Sequence, residues 1–466
     1  MTIDLVARAR EGAVHFMGIG GAGMCGLAEW LLVEGGKVSG CDLKAGPVTA
    51  RLSALGAHIE IGHAAAHVDG ASAVVHTAAV PTGHAELEAA RASGVPVLKR
   101  AEALGALVSG GRIVAIAGTH GKTSTTALTV QVLVAAGLEP TGFVGGTVPG
   151  WGGNLYRGGS DLFVVEADEF DRSFHALTPD VAVVTNVEAD HLDIYGDVEG
   201  VRGAFRTFLD QVRPPGLRVF CADDPGASAF VAEYPEAGPT YGLSAGSRLR
   251  AVDVRHTSAG SRFRVVEDGA DRGEAALGVP GDHNLRNALA AAAVARHLGA
   301  DWEQIRHGWR SFEGVGRRFQ RLGSAAGIDV IDDYAHHPTE ISATLGAVRR
   351  AFPERRVVAV FQPHLYSRTR DFCAGFGASL ATADLTWVSD VFPAREAPIP
   401  GVDGRLVADA VQSAGGSVRY EASLERLPEV VAEGLLDGDV VVVMGAGSIE
   451  ATGPALLAVL EAGIHV

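Results

Sequence analysis

The sequence predicts three α/β domains in series, and three observations predict it. The chain has 466 residues, and domains usually run ~100–200 residues. Short apolar runs alternate with helical patterns along it, the βαβ rhythm of a parallel sheet with helices on its faces. Two glycine loops each lie between a buried apolar run and a helical one, where amides and a helix N-terminus can meet a phosphate.

The first domain is expected over 1–110. Residues 14–18 read as a short buried strand, followed by glycines and an apolar helix over 24–33. A strand over 37–41 ends in Asp42, and the runs 73–76 and 95–98 continue the pattern to Gly110-Gly111. The second domain, 111–316, opens with a strand over 112–117, a glycine loop and a helix over 123–136. Strands at 162–165 and 181–185 follow, 248–266 alternates like antiparallel strands, and an Ala-rich helix is expected over 284–298. Gly314-Val315-Gly316 reads as a hinge into a third domain, 317–466. There the strands fall at 329–331, 357–361, 385–388 and 440–444.

Composition narrows the function classes. Hydrophobic residues make up 47% and charged residues 20%, an ordinary globular balance. A formal net charge of −16 argues against a phosphate-backbone footprint, so no nucleic-acid partner is expected. Cys25, Cys41, Cys221 and Cys373 are scattered, a spacing that fits neither a disulfide framework nor a zinc site. The first twelve residues show no apolar signal segment and no run is long enough to span a bilayer, so a cytoplasmic protein without membrane insertion is expected. Basic charge is nearly all arginine; the lysines are Lys37, Lys44, Lys99 and Lys122.

Gly18-Ile19-Gly20-Gly21-Ala22-Gly23 matches Gly-x-Gly-x-x-Gly, with Met24 following. Asp42 ends the next strand, where a ribose-binding acid would stand. The motif does not say whether the diphosphate belongs to NAD, FAD or a sugar nucleotide, and a plain tight turn gives the same letters. Gly118-Thr119-His120-Gly121-Lys122-Thr123-Ser124 is more specific: amides and Lys122 for ATP phosphates, the Thr123 hydroxyl for Mg²⁺. It has two residues between its glycines, where the usual phosphate loop has four. Acids then follow two strands. Glu166-Ala167-Asp168-Glu169 places Glu166 like a Mg²⁺ ligand, and Asn186, Glu188, Asp190 and His191 follow the next strand. Magnesium prefers oxygen, so His191 is chemically the less obvious ligand. In Asp282-His283-Asn284-Leu285-Arg286-Asn287, Asn284 reads as a helix cap, and Asn287 could hydrogen-bond an adenine.

Together these blocks resemble the Mur ligase family of peptidoglycan synthesis, almost end to end. So do Gly316-Arg317-Arg318-Phe319, Asp332-Asp333-Tyr334-Ala335-His336-His337-Pro338 and Gln362-Pro363-His364. The resemblance implies a Rossmann-like N-terminal domain, a P-loop-type central ATPase domain and a Rossmann-like C-terminal domain. It implies ATP-dependent ligation of L-alanine to the carboxylate of UDP-N-acetylmuramate, through an acyl phosphate. ATP and Mg²⁺ would sit at Gly118 to Ser124, with Thr123, Glu166 and His191 at the metal and Asn287 and Arg318 nearby. The UDP-sugar would lie at Gly18, Gly20, Gly21, Gly23, Met24 and Asp42. Tyr334, His336, His364 and Arg368 would bind the amino acid, and Arg318 or Arg368 would serve the transferring group. The expected state is a monomer or weak homodimer.

The chain departs from the family pattern at Leu365, where an arginine is common. It also has no lysine after Lys122, so the carbamylated lysine of related ligases for later steps has no counterpart. A zinc pair at His336-His337 is the bland alternative there, though adjacent histidines on a strand point apart. Rival readings of the whole are a nicotinamide oxidoreductase, a nucleotide-regulated binding protein, and a recycling ligase that adds a preformed tripeptide to the same sugar nucleotide.

Overall fold

The computed structural model describes residues 3–394 and 396–463. Its N-terminal sheet is wholly parallel, in the order His58–Ile61, Val38–Asp42, Val14–Met17, Ala73–His76, Val97–Lys99. The order reverses beside Val14–Met17, which creates a crevice at the carboxyl ends of the strands. That strand is buried along its whole length, and the helix Ala22–Val33 follows it directly across the first glycine loop.

The central sheet runs Leu217–Phe220, Val181–Val184, Arg112–Ala117, Leu162–Ala167, Thr141–Val148, Gly153–Tyr156. All neighbours are parallel except the last two, which form a hairpin. From that hairpin Asn154 donates to the Ala22 carbonyl and accepts from Cys25 Sγ at 3.2 Å, while its Phe143, together with Phe163 of the strand Leu162–Ala167, meets Trp30 edge-on. The helix Lys122–Ala135 buries both polar and apolar side chains, Thr123 to Thr126 among them. A four-stranded sheet, Tyr241–Gly242, Leu249–Thr257, Gly260–Glu267, Ala270–Leu277, precedes the helix Asp282–His297.

The C-terminal sheet is ordered Gln320–Ala325, Ile328–Asp333, Val440–Met444, Val357–Phe361, Leu385–Val388, Val418–Tyr420, parallel except for its first pair. Its strand Val440–Met444 shows why β-branched runs sit in the middle of such sheets. Val440, Val442 and Met444 join one buried cluster, and Val441 and Val443 join the other. Side chains alternate, so only a strand covered on both faces can be apolar throughout.

The chain divides into two compact units. One holds residues up to Val252 with Val265–Gly273 and Arg286–Ser311; the other holds Asp253–Arg264, Glu274–Leu285 and the residues from Phe312 onward.

The strands expected at 73–76, 112–117, 357–361, 385–388 and 440–444 are found with those bounds. The alternating stretch 248–266 resolves into two strands, Leu249–Thr257 and Gly260–Glu267. One expectation is corrected. Asn284 does not cap its helix, which already begins at Asp282; its side-chain amide donates to the Pro280 carbonyl at 2.8 Å instead. No described helix is long and apolar enough to cross a membrane.

Candidate active site

The second glycine loop is built by its neighbour strand. Gly118 has φ +140°, and a Cβ there would collide with the Thr185 hydroxyl. Thr185 and Asn186 stand at the end of Val181–Val184. The Asn186 side chain takes the His120 amide at 2.7 Å and donates to the His120 carbonyl at 3.0 Å, while Thr185 Oγ1 donates to the same carbonyl at 2.6 Å. Thr119 is fixed through its amide to the Asn186 carbonyl at 3.1 Å, and its hydroxyl receives the Glu188 amide at 3.0 Å. Gly121 turns left-handed at φ +81° and opens the helix, and Asn287 lies where a Gly121 side chain would be. Sequence reading offered Asn287 to an adenine; the structure places it against the loop itself.

Lys122 fills its three donor positions within the site. Its Nζ reaches the Gly118 carbonyl at 2.6 Å, the Thr119 carbonyl at 3.2 Å and Glu169 Oε2 at 2.7 Å. Burial pulls the ammonium's pKa down, but Glu169, Asp168 and Glu166 outweigh it, and the net direction is up. Burial pushes the Glu169 carboxyl up to about 7, against the pull of Lys122. The Tyr195 hydroxyl donates to the Glu169 carbonyl and helps hold that strand end.

Thr123 Oγ1 donates to Glu166 Oε2 at 3.2 Å, and the Gly145 amide donates to Glu166 Oε1. Two hard oxygens thus meet at the mouth of the loop, the donor chemistry that a magnesium ion takes. His191 has φ +54° and starts the short helix Leu192–Tyr195. Its Nε2 lies 3.9 Å from Asp190 and 4.0 Å from Glu169, with Phe170 edge-on to its ring. Lys122, Thr123, Glu166 and His191 are therefore one neighbourhood. Ser124 is buried behind it.

The first glycine loop is quieter. The amides of Gly18 and Ile19 donate to the Cys41 carbonyl at 2.8 and 3.1 Å, and the Gly21 amide donates to the Gly18 carbonyl at 3.1 Å. Asp42 Oδ2 accepts the Gly20 amide at 2.9 Å, so the carboxylate read as a ribose ligand also braces the loop. Met24 is buried. A side chain on Gly23 would strike Arg100, whose guanidinium lies 3.6 Å from Asp168.

Sequence reasoning missed Arg100 and Glu169 as site residues. Arg100 opens a helix directly after an edge strand, and that position was the available signal. Glu169 lies within the quoted acid cluster, but only burial distinguishes it from its neighbours.

In the second unit, Tyr334, His336 and His364 form a chain of rings with centroids 5.2 and 6.0 Å apart. The Arg318 guanidinium lies 4.9 Å from the Tyr334 ring centre. Glu340 accepts the His336 amide at 2.9 Å and lies 3.1 Å from its Nδ1. Asp333 accepts the amides of Phe319 and Ala335 at 2.9 and 2.8 Å, and burial pushes its carboxyl up to about 6. Arg368 lies on the helix Tyr366–Asp371, which Leu365 introduces at φ +67°. His337 caps the helix Pro338–Ala351 through its Nδ1, so the two adjacent histidines have separate duties.

Three family models cover this chain: "Mur ligase family, catalytic domain" over 13–112, "Mur ligase middle domain" over 116–295, and "Mur ligase, glutamate ligase domain" over 317–447. The chain belongs to the Mur ligase family. This Mur ligase is 45% identical to the UDP-N-acetylmuramate–L-alanine ligase of Salinibacter ruber, over 99% of its own length and 97% of the relative's. With the same-named ligase of Rubrobacter xylanophilus it shares 47% identity, over 96% and 99% of the two chains. The crystal structure of the UDP-N-acetylmuramate–alanine ligase of Thermotoga maritima superposes with a TM-score of 0.84 at 29% identity, covering 97% of this chain and 100% of that one. The three-domain α/β architecture expected from the sequence is thus that of the family. A murein peptide ligase from Psychrobacter arcticus, at 24% identity and a TM-score of 0.70, shares the fold.

Proposed function

We propose that this Mur ligase joins L-alanine to the muramate carboxylate of UDP-N-acetylmuramate, consuming ATP, in peptidoglycan precursor synthesis. The observation that carries the reading is the 45% identity to an L-alanine ligase across 99% of the chain. The buried phosphate loop, with Lys122 and the Thr123–Glu166 oxygen pair at its mouth, supports it. We assign the domain boundaries to the neighbourhood of residues 110 and 316.

In this reading the loop amides and Lys122 hold the ATP phosphates, and Lys122 stabilises charge on the transferring phosphoryl group. Its ammonium gives up part of its contact with Glu169 and the loop carbonyls when phosphate arrives, because those contacts occupy all three donors. Glu169 is then a positioning residue. Thr123 and Glu166, with His191 beside them, would hold Mg²⁺. Bound there, the ion supplies charge neutralisation for the phosphates. The muramate carboxylate attacks the γ-phosphorus, ADP leaves, and an acyl phosphate forms. The L-alanine amine then attacks the acyl carbon, inorganic phosphate leaves, and the amide remains after loss of a proton. We assign the diphosphate of the sugar nucleotide to the first turn of the helix Ala22–Val33, with Gly18, Gly20, Gly21, Gly23, Met24 and Asp42 shaping the approach. Tyr334, His336, His364, Arg318 and Arg368 are assigned to the amino acid and to the transferring group. The substrates place the enzyme in the cytoplasm, where ATP and sugar nucleotides are made.

The test is phosphate release from MgATP with UDP-N-acetylmuramate and a panel of amino acids. Release that needs both the sugar nucleotide and L-alanine, with the product mass of the conjugate, is expected. Release only with a tripeptide would assign the chain to recycling, and release with none would remove the ligase reading.

A further inference from the structure

Away from the phosphate loops, the N-terminal domain gathers imidazoles, a thiol and a carboxylate around one buried point. Glu86 is fully buried on the helix Ala85–Ala92. Its ion-pair partners are His63 at 3.4 Å and His67 at 2.9 Å, and Cys41 Sγ stands 3.3 Å from its Oε2. Cys41 Sγ is also 3.1 Å from His63 Nδ1. Sulfur, nitrogen and oxygen therefore form a triangle with edges of 3.1, 3.3 and 3.4 Å. Ligand atoms on a tetrahedral zinc ion, bound at ~2.0–2.3 Å, lie about 3.3–3.6 Å from one another. The triangle is close to one face of such a tetrahedron.

A fourth group stands beside it. His15 is 1% exposed, and its Nε2 has no hydrogen-bond partner among the described residues, whereas its Nδ1 lies 3.0 Å from Ser39 Oγ. The ligand atoms of His15, Cys41 and Glu86 lie within 4.8 Å of one another. A buried imidazole nitrogen left unpaired carries a desolvation cost unless something fills it.

The outer partners match those of a metal site. The Ala64 amide donates to Glu86 Oε1 at 2.9 Å and His67 Nδ1 sits at 2.9 Å from the same oxygen, which leaves Oε2 toward the sulfur. Met17, Val68, Val74, Leu87 and Ala90 form an apolar shell with Cys41. A cavity of about 720 Å³ reaches His15 and His67 from the surface.

We propose that Cys41, His63, Glu86 and His15 form a binding site for a zinc-class divalent cation in the N-terminal domain, distinct from the Thr123–Glu166 site. Sequence spacing alone excluded it, since these residues lie on four separate segments. The thiol loses its proton on binding, so affinity rises with pH. The same ion braces the first glycine loop, because the Cys41 carbonyl receives the amides of Gly18 and Ile19.

The experiment is a Co²⁺ titration of the full, chelator-treated chain, followed by Zn²⁺ displacement. One equivalent of cobalt with a near-ultraviolet thiolate charge-transfer band is expected, together with a melting temperature that rises with Zn²⁺. Cys41→Ser should abolish the band, and His15→Gln should weaken binding at least about tenfold. Glu166→Gln should keep the band, since it touches only the oxygen site. No thiolate band and no Zn²⁺-dependent melting shift in the natively folded, unsubstituted chain would overturn the proposal. The triangle would then be a protonated hydrogen-bond network. The titration of the unsubstituted chain decides the matter even where a variant fails to fold.

Discussion

Two loops in this molecule share one plan, a buried strand, a glycine turn and a helix, yet they are furnished for different tasks. In the loop 18–23 the amides of Gly18, Ile19, Gly20 and Gly21 are satisfied by Cys41, Asp42 and Gly18. No charged side chain lies in the first turn of its helix. In the loop 118–123 the bracing comes from the neighbouring strand end through Thr185 and Asn186, and the helix begins with a lysine. Three carboxylates surround that lysine. A glycine turn at a helix N-terminus thus supplies a generic seat for an anion. Whether the seat merely holds a diphosphate or stabilises a phosphoryl group in transfer depends on what the adjacent strands deliver beside it.

The largest test of that contrast is Lys122→Ala. Turnover should fall by roughly two to four orders of magnitude, while binding of the sugar nucleotide, followed by calorimetry, stays unchanged. Equal loss of both would mean that the loops do not divide the labour. Glycine replacement separates them next. Gly118→Ala forces a side chain into the Thr185 hydroxyl at φ +140° and should cost about 2–4 kcal/mol in urea unfolding. Gly20→Ala meets Asp42 at 3.0 Å, at a backbone conformation other residues tolerate, and should cost about 1 kcal/mol.

Asn186→Ala removes a bond to the His120 amide and another to its carbonyl. About 1–3 kcal/mol of loop order should be lost, read as a KM for ATP raised roughly tenfold with a smaller change in kcat. An unchanged KM would mean that the Asn186 backbone and Thr185 suffice as braces. The smallest effect concerns pH. Glu169's carboxyl is raised from 4.5 to about 7 in the fold, so the folded chain holds that proton more tightly than the unfolded one. Its contribution to stability is whole below pH 4.5 and is lost as pH rises through 7. Glu169→Gln keeps a neutral side chain at every pH. The melting temperature of this variant relative to the parent should therefore climb between pH 4.5 and 7 and then level off. A flat difference would remove the raised carboxyl.

The loop 118–123 was readable because a turn and its helix are contiguous: strand, glycines, lysine and threonine follow in a line. Glu166 was readable for a related reason, since an acid ending an apolar run falls at the carboxyl edge of a parallel sheet. Glu169, three residues on, was not, because its role depends on being buried against Lys122. Arg100 escaped for the same reason, as it acts on a loop far from it in the chain. Asn284 was misread as a cap, since a polar residue ahead of an apolar helix looks identical whether it stands before the first turn or inside it.

By itself the sequence determined the three α/β domains, through apolar periodicity, and the kind of chemistry, through short contiguous blocks whose order resembles one family. Those features are local, and backbone geometry translates them directly. Only the tertiary structure decided which partner each polar group receives. Lys122 with Glu169, Asp42 with Gly20, and the meeting of Cys41 and Glu86 with His63 and with His15 are products of strand order and helix packing. Their physical cause is desolvation. A buried charge or imidazole must find a complement, and the fold chooses it from segments that the chain keeps far apart.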